Sequence, residues 1–260
     1  MAQKPKRKIK LFLVEGKSEL EALRNAISEI YDQTDPSVYV RFLVRSENAT
    51  DESGNHIIAE RGGDVTAIGD PTNIEKYIYT MLLKSFFDEE KLLPKDISEI
   101  IQITDLDGAY VPENSIKEDK RLSKIRYEEN RILCKNKGEI ILRNERKKKN
   151  LDYLTSKTAI KVRKLSIPYR LYYFSSNLDH FLHHEANLDP LEKVKKAEEY
   201  SEQYLNAPEE LARKITNDPG AVKGKSYEES WEYIKKGTNS LSRHTNLNIL
   251  LDELLAQAGS

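Results

Sequence analysis

Residues Leu11–Leu20 read LFLVEGKSEL, and this stretch decides which class of fold the chain can adopt. Its apolar start is typical of a buried strand, and a glycine follows where the chain must turn. The Gly-Lys-Ser at 16–18 matches the end of a phosphate-binding P-loop, a pattern that also requires a glycine five residues before its last glycine. That position is Leu11, so the phosphate-wrapping loop cannot form here. The residue that needs an explanation is therefore Glu15, a carboxylate at the end of a strand.

The rest of the chain extends this strand into an alternation of strands and helices. Apolar residues at helical spacing predict helices over Lys17–Tyr31 and about Thr72–Phe87, with a polar loop at 46–71 between strand and helix. Apolar runs predict four strands, at Ile9–Val14, Val38–Val44, Ile97–Thr104 and Ile167–Phe174. Such alternation predicts an α/β fold, a parallel sheet flanked by helices. We predict one domain over residues 8–175 and a helical C-terminal tail over 176–260 that packs on it, or alternatively docks a partner.

Composition restricts the class of protein. Of 260 residues, 33% are charged and 38% hydrophobic, and the mean hydropathy is -0.68. No apolar run approaches the ~20 residues that cross a bilayer, so we expect no membrane contact. The single cysteine, Cys134, excludes an intramolecular disulfide and a multi-cysteine zinc site. We expect a cytoplasmic protein.

Positive charge is concentrated in the middle of the chain. Between Lys117 and Arg170 there are 18 lysines and arginines against 7 aspartates and glutamates, although the net charge of the chain is -1. This excess predicts a patch that meets a polyanion. We predict a basic insertion over about 117–166, largely helical or irregular, that binds nucleic acid, either DNA or RNA, with tRNA among the candidates. The candidate phosphate contacts are Lys147, Lys148, Lys149, Lys161, Arg163 and Lys164.

Acidic residues follow two of the predicted strands. Glu15 ends the first strand, and Glu19 lies four residues further on. Asp105 and Asp107 end the third strand. Because sites in open parallel sheets form at the carboxyl ends of strands, we expect these side chains to meet. Hard oxygen ligands suit Mg²⁺ or Mn²⁺, so all four are candidate metal ligands.

These acidic motifs resemble the TOPRIM domain. Val-Glu-Gly-Lys-Ser-Glu at 14–19 is followed about ninety residues later by Thr-Asp-Leu-Asp-Gly at 104–108. The family pattern is similar, with a glutamate after the first strand and an Asp-x-Asp after a later one, which together hold Mg²⁺. The family occurs in topoisomerases, bacterial primases, an RNA-maturing nuclease and the overcoming-lysogenization-defect nucleases of phage defence. The resemblance covers roughly Lys8 to Phe174 and implies a TOPRIM-like sheet with a basic insertion.

A further stretch, FSSNLDHF at 174–181, is similar to the Ser-Asn-x-x-Phe-Glu region of RloB-type and abortive-infection TOPRIM proteins. No glutamate follows an aromatic residue here, and the nearest acidic residue is Asp179. The resemblance implies that Asp179 and Asn177 join the site. The predicted helical tail does not match the tyrosine-bearing domain of a topoisomerase, and one cysteine cannot supply the zinc ligands usual in a primase. The small nuclease branch is therefore the best match.

The resemblance implies a divalent-metal-dependent nuclease that hydrolyses phosphodiester bonds as an anti-phage effector, with an ATPase or a second copy of the chain as candidate partners. Asp105 and Asp107 would hold the principal metal, and Asp179 would complete a second site. Glu15 would share that second metal or accept the proton of the attacking water. The alternative is a non-catalytic nucleic-acid-binding or regulatory subunit of a defence complex. A nucleotide-binding signalling module is disfavoured by the missing P-loop.

Three histidines lie close together at 180, 183 and 184, next to Glu185. Their spacing is not the His-Glu-x-x-His pattern of zinc enzymes. A structural or surface role is favoured. A phosphate or general-acid contact by His180 is the first alternative, and a zinc site is the second.

Overall fold

The computed structural model describes residues 8–44, 47–50, 56–59 and 64–258, with the backbone alone described at 47–50 and 56–59. The strands are β1 (Lys8–Val14), β2 (Val38–Val44), β3 (Glu47–Thr50), β4 (His56–Ala59), β5 (Ile97–Asp105), β6 (Ile116–Glu118), β7 (Arg126–Glu128), β8 (Arg131–Cys134), β9 (Ala159–Val162) and β10 (Leu165–Phe174). The helices are α1 (Lys17–Thr34), α2 (Val65–Ile68), α3 (Ile74–Ile78), α4 (Lys84–Glu89), α5 (Lys137–Thr155), α6 (Leu178–His183), α7 (Pro190–Gln203), α8 (Pro208–Asn217), α9 (Tyr227–Ile234) and α10 (Leu247–Ala258). A π-helical turn, Tyr79–Leu83, joins α3 to α4.

A five-stranded sheet of order β2-β1-β5-β10-β9 forms the centre of the molecule. Strands β2, β1, β5 and β10 are parallel, and β9 pairs antiparallel with β10 at one edge. The α/β class and the mostly parallel sheet flanked by helices are thus confirmed. All four predicted strands are present, and β5 runs one residue further than predicted, to Asp105.

Helices cover both faces of this sheet, which explains why β1 is continuously apolar from Leu11 to Val14. Leu11 and Leu13 face a core built with α2 to α5 and α9. Phe12 and Val14 face the other core, built with α1, α8 and α10. Successive side chains of a strand point to opposite faces, so a strand covered on both sides reads as a continuous apolar run.

Helix α1 begins immediately after the first strand and carries the first acidic side chains to the sheet edge. Gly16 precedes its first turn in an extended conformation, and Glu19 lies within that turn. Leu23, Ile27 and Ile30 recur at helical spacing and are fully buried against the sheet. Packing of this apolar stripe therefore fixes the orientation of α1, which begins at the candidate site.

The segment between β5 and β9 differs from its prediction as a largely helical or irregular insertion. It contains a three-stranded sheet of order β6-β8-β7 before the long helix α5. Ile116, Ile132 and Cys134 build a small core of their own beneath this sheet. Strands of three or four residues are too short to show a period in the sequence, so the pattern did not indicate them. The predicted loop at 46–71 lies partly outside the described residues, and its described part includes the β3–β4 hairpin.

The C-terminal helices pack on the sheet. Leu247, Leu250, Leu251 and Leu254 of α10 are buried in the core shared with α1 and α8. This apolar face is therefore used within the chain. In the ranges that the structure describes, no helix is both long enough and apolar enough to cross a membrane.

Candidate active site

The carboxyl ends of β1, β5 and β10 lie side by side at one edge of the sheet. Asp105, the last residue of β5, pairs with Phe174, the last residue of β10. Glu15 follows β1, and its Oε1 accepts a hydrogen bond from the backbone N–H of Asp105 at 3.1 Å and another from the hydroxyl of Thr104. The two acidic motifs, ninety residues apart in sequence, are thus adjacent in the fold.

Asp107 lies in a tight turn directly after β5. The N–H of Ala109 donates to the carbonyl of Leu106 at 2.8 Å, and the two central residues have φ of 50° (Asp107) and 68° (Gly108). Two positive φ values are typical of a type I′ turn, for which aspartate followed by glycine is favourable. A Cβ on Gly108 would also lie 2.5 Å from a methyl group of Leu241. Backbone conformation and close packing together require glycine beside Asp107.

Lys147 is not on the surface, contrary to its prediction as a phosphate contact. It is 0% exposed, and its ammonium group donates to Asp107 Oδ2 at 2.9 Å and forms an ion pair with Asp64. Lys147 differs from its neighbours in burial because consecutive helical residues point about 100° apart. Lys147 faces inward from α5, while Lys148 and Lys149 are exposed on its other side.

Burial and neighbouring charges shift the pKa values of Glu15 and Asp107 in opposite directions. Burial, followed by repulsion from Asp64, raises the pKa of Glu15 well above its ordinary value. Burial also opposes ionisation of Asp107, but Lys147 and Arg143 outweigh it and lower the pKa of that carboxyl. The pKa of Lys147 is raised in spite of burial, because Asp107 and Asp64 surround it. Asp107 is therefore the ionised partner of a buried lysine, and Glu15 is shifted toward its protonated form.

Asp105 links this cluster to a second one. Its Oδ1 accepts a hydrogen bond from the N–H of Leu178 at 3.0 Å, and burial, followed by Glu19, raises its pKa well above the ordinary value. Burial and then Asp179 raise the pKa of Glu19. Asp179 is itself buried and forms an ion pair with Lys193 at 2.7 Å. Both clusters therefore pair buried carboxylates with one lysine.

The chemistry of these donors suits a hard divalent cation. Six carboxylates belong to the two clusters, namely Glu15, Glu19, Asp64, Asp105, Asp107 and Asp179. Carboxylate oxygens are preferred by Mg²⁺ and Mn²⁺. Among the described residues, however, no three acidic, histidine or cysteine side chains are arranged to hold a metal ion as they stand. Lys147 pairs with Asp64 and Asp107, and Lys193 pairs with Asp179, so a cation bound by any of these three carboxylates would have to displace an ammonium group.

A groove of about 480 Å³ opens beside Asp105 and Asp107. Residues 122–127, which lead into β7, line one side of it, and residues 186–188 line another. A volume in the range of about 300–1,000 Å³ is typical of a site that encloses a small ligand or part of a larger one. The groove is the open approach to both aspartates.

The walls of the groove are joined to each other and carry positive charge. The side chain of Asn187 accepts from the N–H of Tyr127 and donates to its carbonyl, both at 2.7 Å. Lys124, Arg126 and Lys193 line the same groove. Cationic side chains therefore line the groove beside the two aspartates, and each of the three is also in an ion pair with a carboxylate.

Three of the predicted phosphate contacts, on β9 and in the turn after it, lie far from this groove. Lys161 pairs with Ser166 in the β9–β10 ladder, eight residues before Phe174, whose partner is Asp105. At about 3.3 Å per residue the separation along the strand is roughly 26 Å. Arg163 and Lys164 form the turn after β9 at the same end. The structure therefore does not bring these three cations to the carboxylates.

Four residues of the site were missed from the sequence: Asp64, Tyr127, Arg143 and Lys193. Asp64 caps α2 by accepting from the N–H of Thr66 at 2.8 Å, a helix-start signal that could have marked it. Arg143 donates to the carbonyl of Asp107 at 3.0 Å and to the hydroxyl of Tyr127 at 2.9 Å. Nothing in their sequence neighbourhoods distinguishes Arg143 or Lys193 from other surface cations.

The stretch after β10 has a structural use. The side chain of Asn177 caps α6 by accepting from the N–H of His180 at 2.8 Å and donates to the carbonyl of Ala186 at 2.8 Å. His183 packs edge-on against Tyr200. Within the described chain, the histidines form no group with other ligands that could hold a metal.

No family model, no curated protein and no solved structure matched the chain in the comparisons with known proteins. The resemblance to TOPRIM domains therefore rests on the acidic motifs and their order along the chain.

Proposed function

We propose that the protein is a TOPRIM-type nuclease that hydrolyses phosphodiester bonds in DNA or RNA with Mg²⁺ or Mn²⁺. The observation that carries the proposal is the contact between the ends of β1 and β5, where Glu15 accepts a hydrogen bond from Asp105 and Asp107 follows in the next turn. The cationic groove beside both aspartates supports a polyanionic substrate. A role in phage defence and an ATPase partner are supported by the resemblance alone, and a cytoplasmic location is supported by the single cysteine.

The charge of each side chain would determine its role in the reaction. A bound Mg²⁺ supplies charge neutralisation and lowers the pKa of water. Asp105 and Asp107 would hold that ion, and Lys193 would pair with Asp179 beside it. Glu15, whose pKa is raised, is suited to accept the proton of the attacking water at its carboxylate. Lys124 and Arg126 would orient the phosphate groups from the groove wall.

The test combines cleavage with metal binding. DNA, RNA and tRNA are incubated with wild type, Glu15→Gln and Asp105→Asn in Mg²⁺, Mn²⁺ or EDTA, beside the exposed-carboxylate control Glu113→Gln. We expect metal-dependent cleavage that falls by about 10²–10⁴-fold in Glu15→Gln and in Asp105→Asn but not in the control. Calorimetric titration with Mn²⁺ should register binding to wild type and none to Asp105→Asn. Cleavage that survives both substitutions would refute the proposal.

A non-catalytic nucleic-acid-binding subunit is the second candidate, because Lys147 and Lys193 already pair with three of the carboxylates without a metal. This candidate predicts saturable nucleic-acid binding in EDTA and intact substrate with every metal. It also predicts no calorimetric response to Mn²⁺.

A further inference from the structure

A second cavity, of about 340 Å³, lies at the opposite end of the sheet from the carboxylates. We call it the far-end cavity and define it by Lys76, Tyr79, Tyr153, Lys161 and Arg163, which line it together with residues 71–75. The β9–β10 register puts it roughly 26 Å along β10 from the end of the sheet that carries Asp105. A ligand in this cavity could not touch the candidate active site.

Positive charge faces this cavity from two elements. Lys76 comes from α3 and Lys161 from β9, and both are exposed. Neither ammonium group forms an ion pair with any residue of 8–44 or 64–258. The nearby carboxylate of Glu75 accepts hydrogen bonds from the backbone N–H of Lys161 at 2.7 Å and from a tyrosine hydroxyl, so it is already engaged. Among the described residues, Lys76 and Lys161 therefore present ammonium groups without an ion-pair partner to the cavity.

Two contacts hold the guanidinium of Arg163 in the same cavity. It donates to the hydroxyl of Tyr79 at 2.7 Å and lies 3.6 Å from the carboxylate of Asp88. Arg163 also has a φ of 57° in the two-residue turn after β9, a conformation that costs most side chains energy and is usual for glycine. An arginine there is consistent with a use for its side chain, since its backbone position favours a smaller residue.

Two aromatic rings complete the cavity wall. Tyr153 is 37% exposed, and its hydroxyl donates to Glu75 at 2.6 Å, which fixes the ring. Tyr79 is half-buried and is fixed by its contact with Arg163. Aromatic rings beside cationic side chains are the combination on which nucleic-acid-binding surfaces stack bases and bind phosphates.

We propose that the far-end cavity binds a nucleotide, with its phosphate on Lys76, Lys161 and Arg163 and its base against Tyr153 or Tyr79. Because no glycine-rich loop is present, side chains rather than backbone N–H groups hold the phosphate. The same chemistry belongs to a free mononucleotide and to one nucleotide of a strand. The site does not require the carboxylate clusters, so it stands or falls separately from the nuclease proposal.

The test measures binding to the full-length chain in EDTA, where metal-dependent turnover is absent. The probes are AMP, UMP, a fluorescein-labelled single-stranded oligonucleotide and inorganic phosphate. We expect Lys161→Ala with Arg163→Ala to weaken nucleotide binding by about tenfold or more, as expected for lost charge-assisted hydrogen bonds. Tyr153→Leu should weaken nucleotide binding while leaving phosphate binding unchanged. Lys225→Ala with Lys236→Ala, a pair of exposed lysines in the C-terminal region, is the matched control for lost charge.

Each outcome decides the proposal. Saturable binding of AMP or UMP that the double variant weakens and the control does not supports a free nucleotide as ligand. The same pattern with the oligonucleotide alone supports one nucleotide of a strand. The proposal is overturned if no probe saturates wild type, if the control weakens binding equally, or if phosphate binds as tightly as every nucleotide. Asp105→Asn should bind as wild type does, which separates this result from the fate of the nuclease proposal. Unchanged thermal unfolding confirms that each variant is folded.

Discussion

At the scale of single residues, Lys147 controls the electrostatics of the candidate site. Its fully buried ammonium group is shared by Asp64 and Asp107, and each of these carboxylates depends on it for neutralisation. An ion pair withdrawn from water is costly to assemble, but removing one partner is costlier still, because a charge is left buried alone. Lys147 therefore supports both the stability of the fold and the ionised state of Asp107.

Replacing Lys147 by methionine should destabilise the protein by about 3–5 kcal/mol, because two carboxylates lose their buried partner. The loss should shrink at low pH, where Asp107 becomes protonated and no longer leaves a buried charge. Urea unfolding at two pH values measures both effects. Lys148→Met, one residue along α5 on its exposed side, should change stability by about 0.5 kcal/mol or less. Equal effects of the two substitutions would contradict the role given to Lys147.

The raised pKa of Glu15 predicts a pH-dependent stability difference. Its folded pKa lies above the ordinary value of 4.5, so the native state binds more protons than the unfolded state between these two pKa values. This carboxyl therefore lowers stability progressively as pH rises above about 4.5. Glu15→Gln should gain stability over the metal-free wild type across that window, as measured by urea unfolding in EDTA. Glu113→Gln should show no such trend, and a gap between Glu15→Gln and wild type that is flat with pH would refute the assignment.

At the scale of elements, the turn after β5 positions Asp107. Gly108 has a φ of 68°, and a Cβ there would press on Leu241. Gly108→Ala should cost roughly 2–4 kcal/mol, from the left-handed backbone and from overpacking together. Gly224 has a nearly equal φ of 67° with nothing within 4 Å of a built Cβ, so Gly224→Ala isolates the backbone contribution at about 1 kcal/mol. Urea unfolding compares them, and equal costs would mean that packing at the turn contributes nothing.

At the scale of the whole molecule, the C-terminal helices belong to the same core as the sheet. Leu251 of α10 is buried among residues of α1 and α8, whereas Leu255 is only partly buried. Leu251→Ala should cost about 2–5 kcal/mol and should lower the midpoint of a single cooperative transition. Leu255→Ala should cost clearly less. Separate unfolding of the tail, detected as a second transition, would argue against a shared core.

Much of the fold could be predicted because its elements are long and periodic. The apolar strand at β1 and the helical stripe of α1 carry their burial pattern in the sequence itself. The strands β6 to β8 carry no such pattern, since each is too short for a period and is stabilised by its own small core. The turn residues Asp107 and Gly108 were visible as a motif, yet the packing of Leu241 against Gly108, which leaves no room for a Cβ there, depends on the fold.

The α/β class could be predicted from the sequence because it follows from local apolar runs. The positions of Glu15, Asp105 and Asp107 at strand ends could be predicted because they follow from those runs and from the order of the motifs. Only the tertiary structure decided which charges share a site. Lys147 faces inward on α5, Lys193 reaches Asp179 from α7, and Lys161 lies at the far end of the sheet. The physical reason is that ion pairing depends on distances across the fold, which the strand order and helix rotation set. The spacing of residues along the chain specifies neither the strand order nor the rotation of each helix.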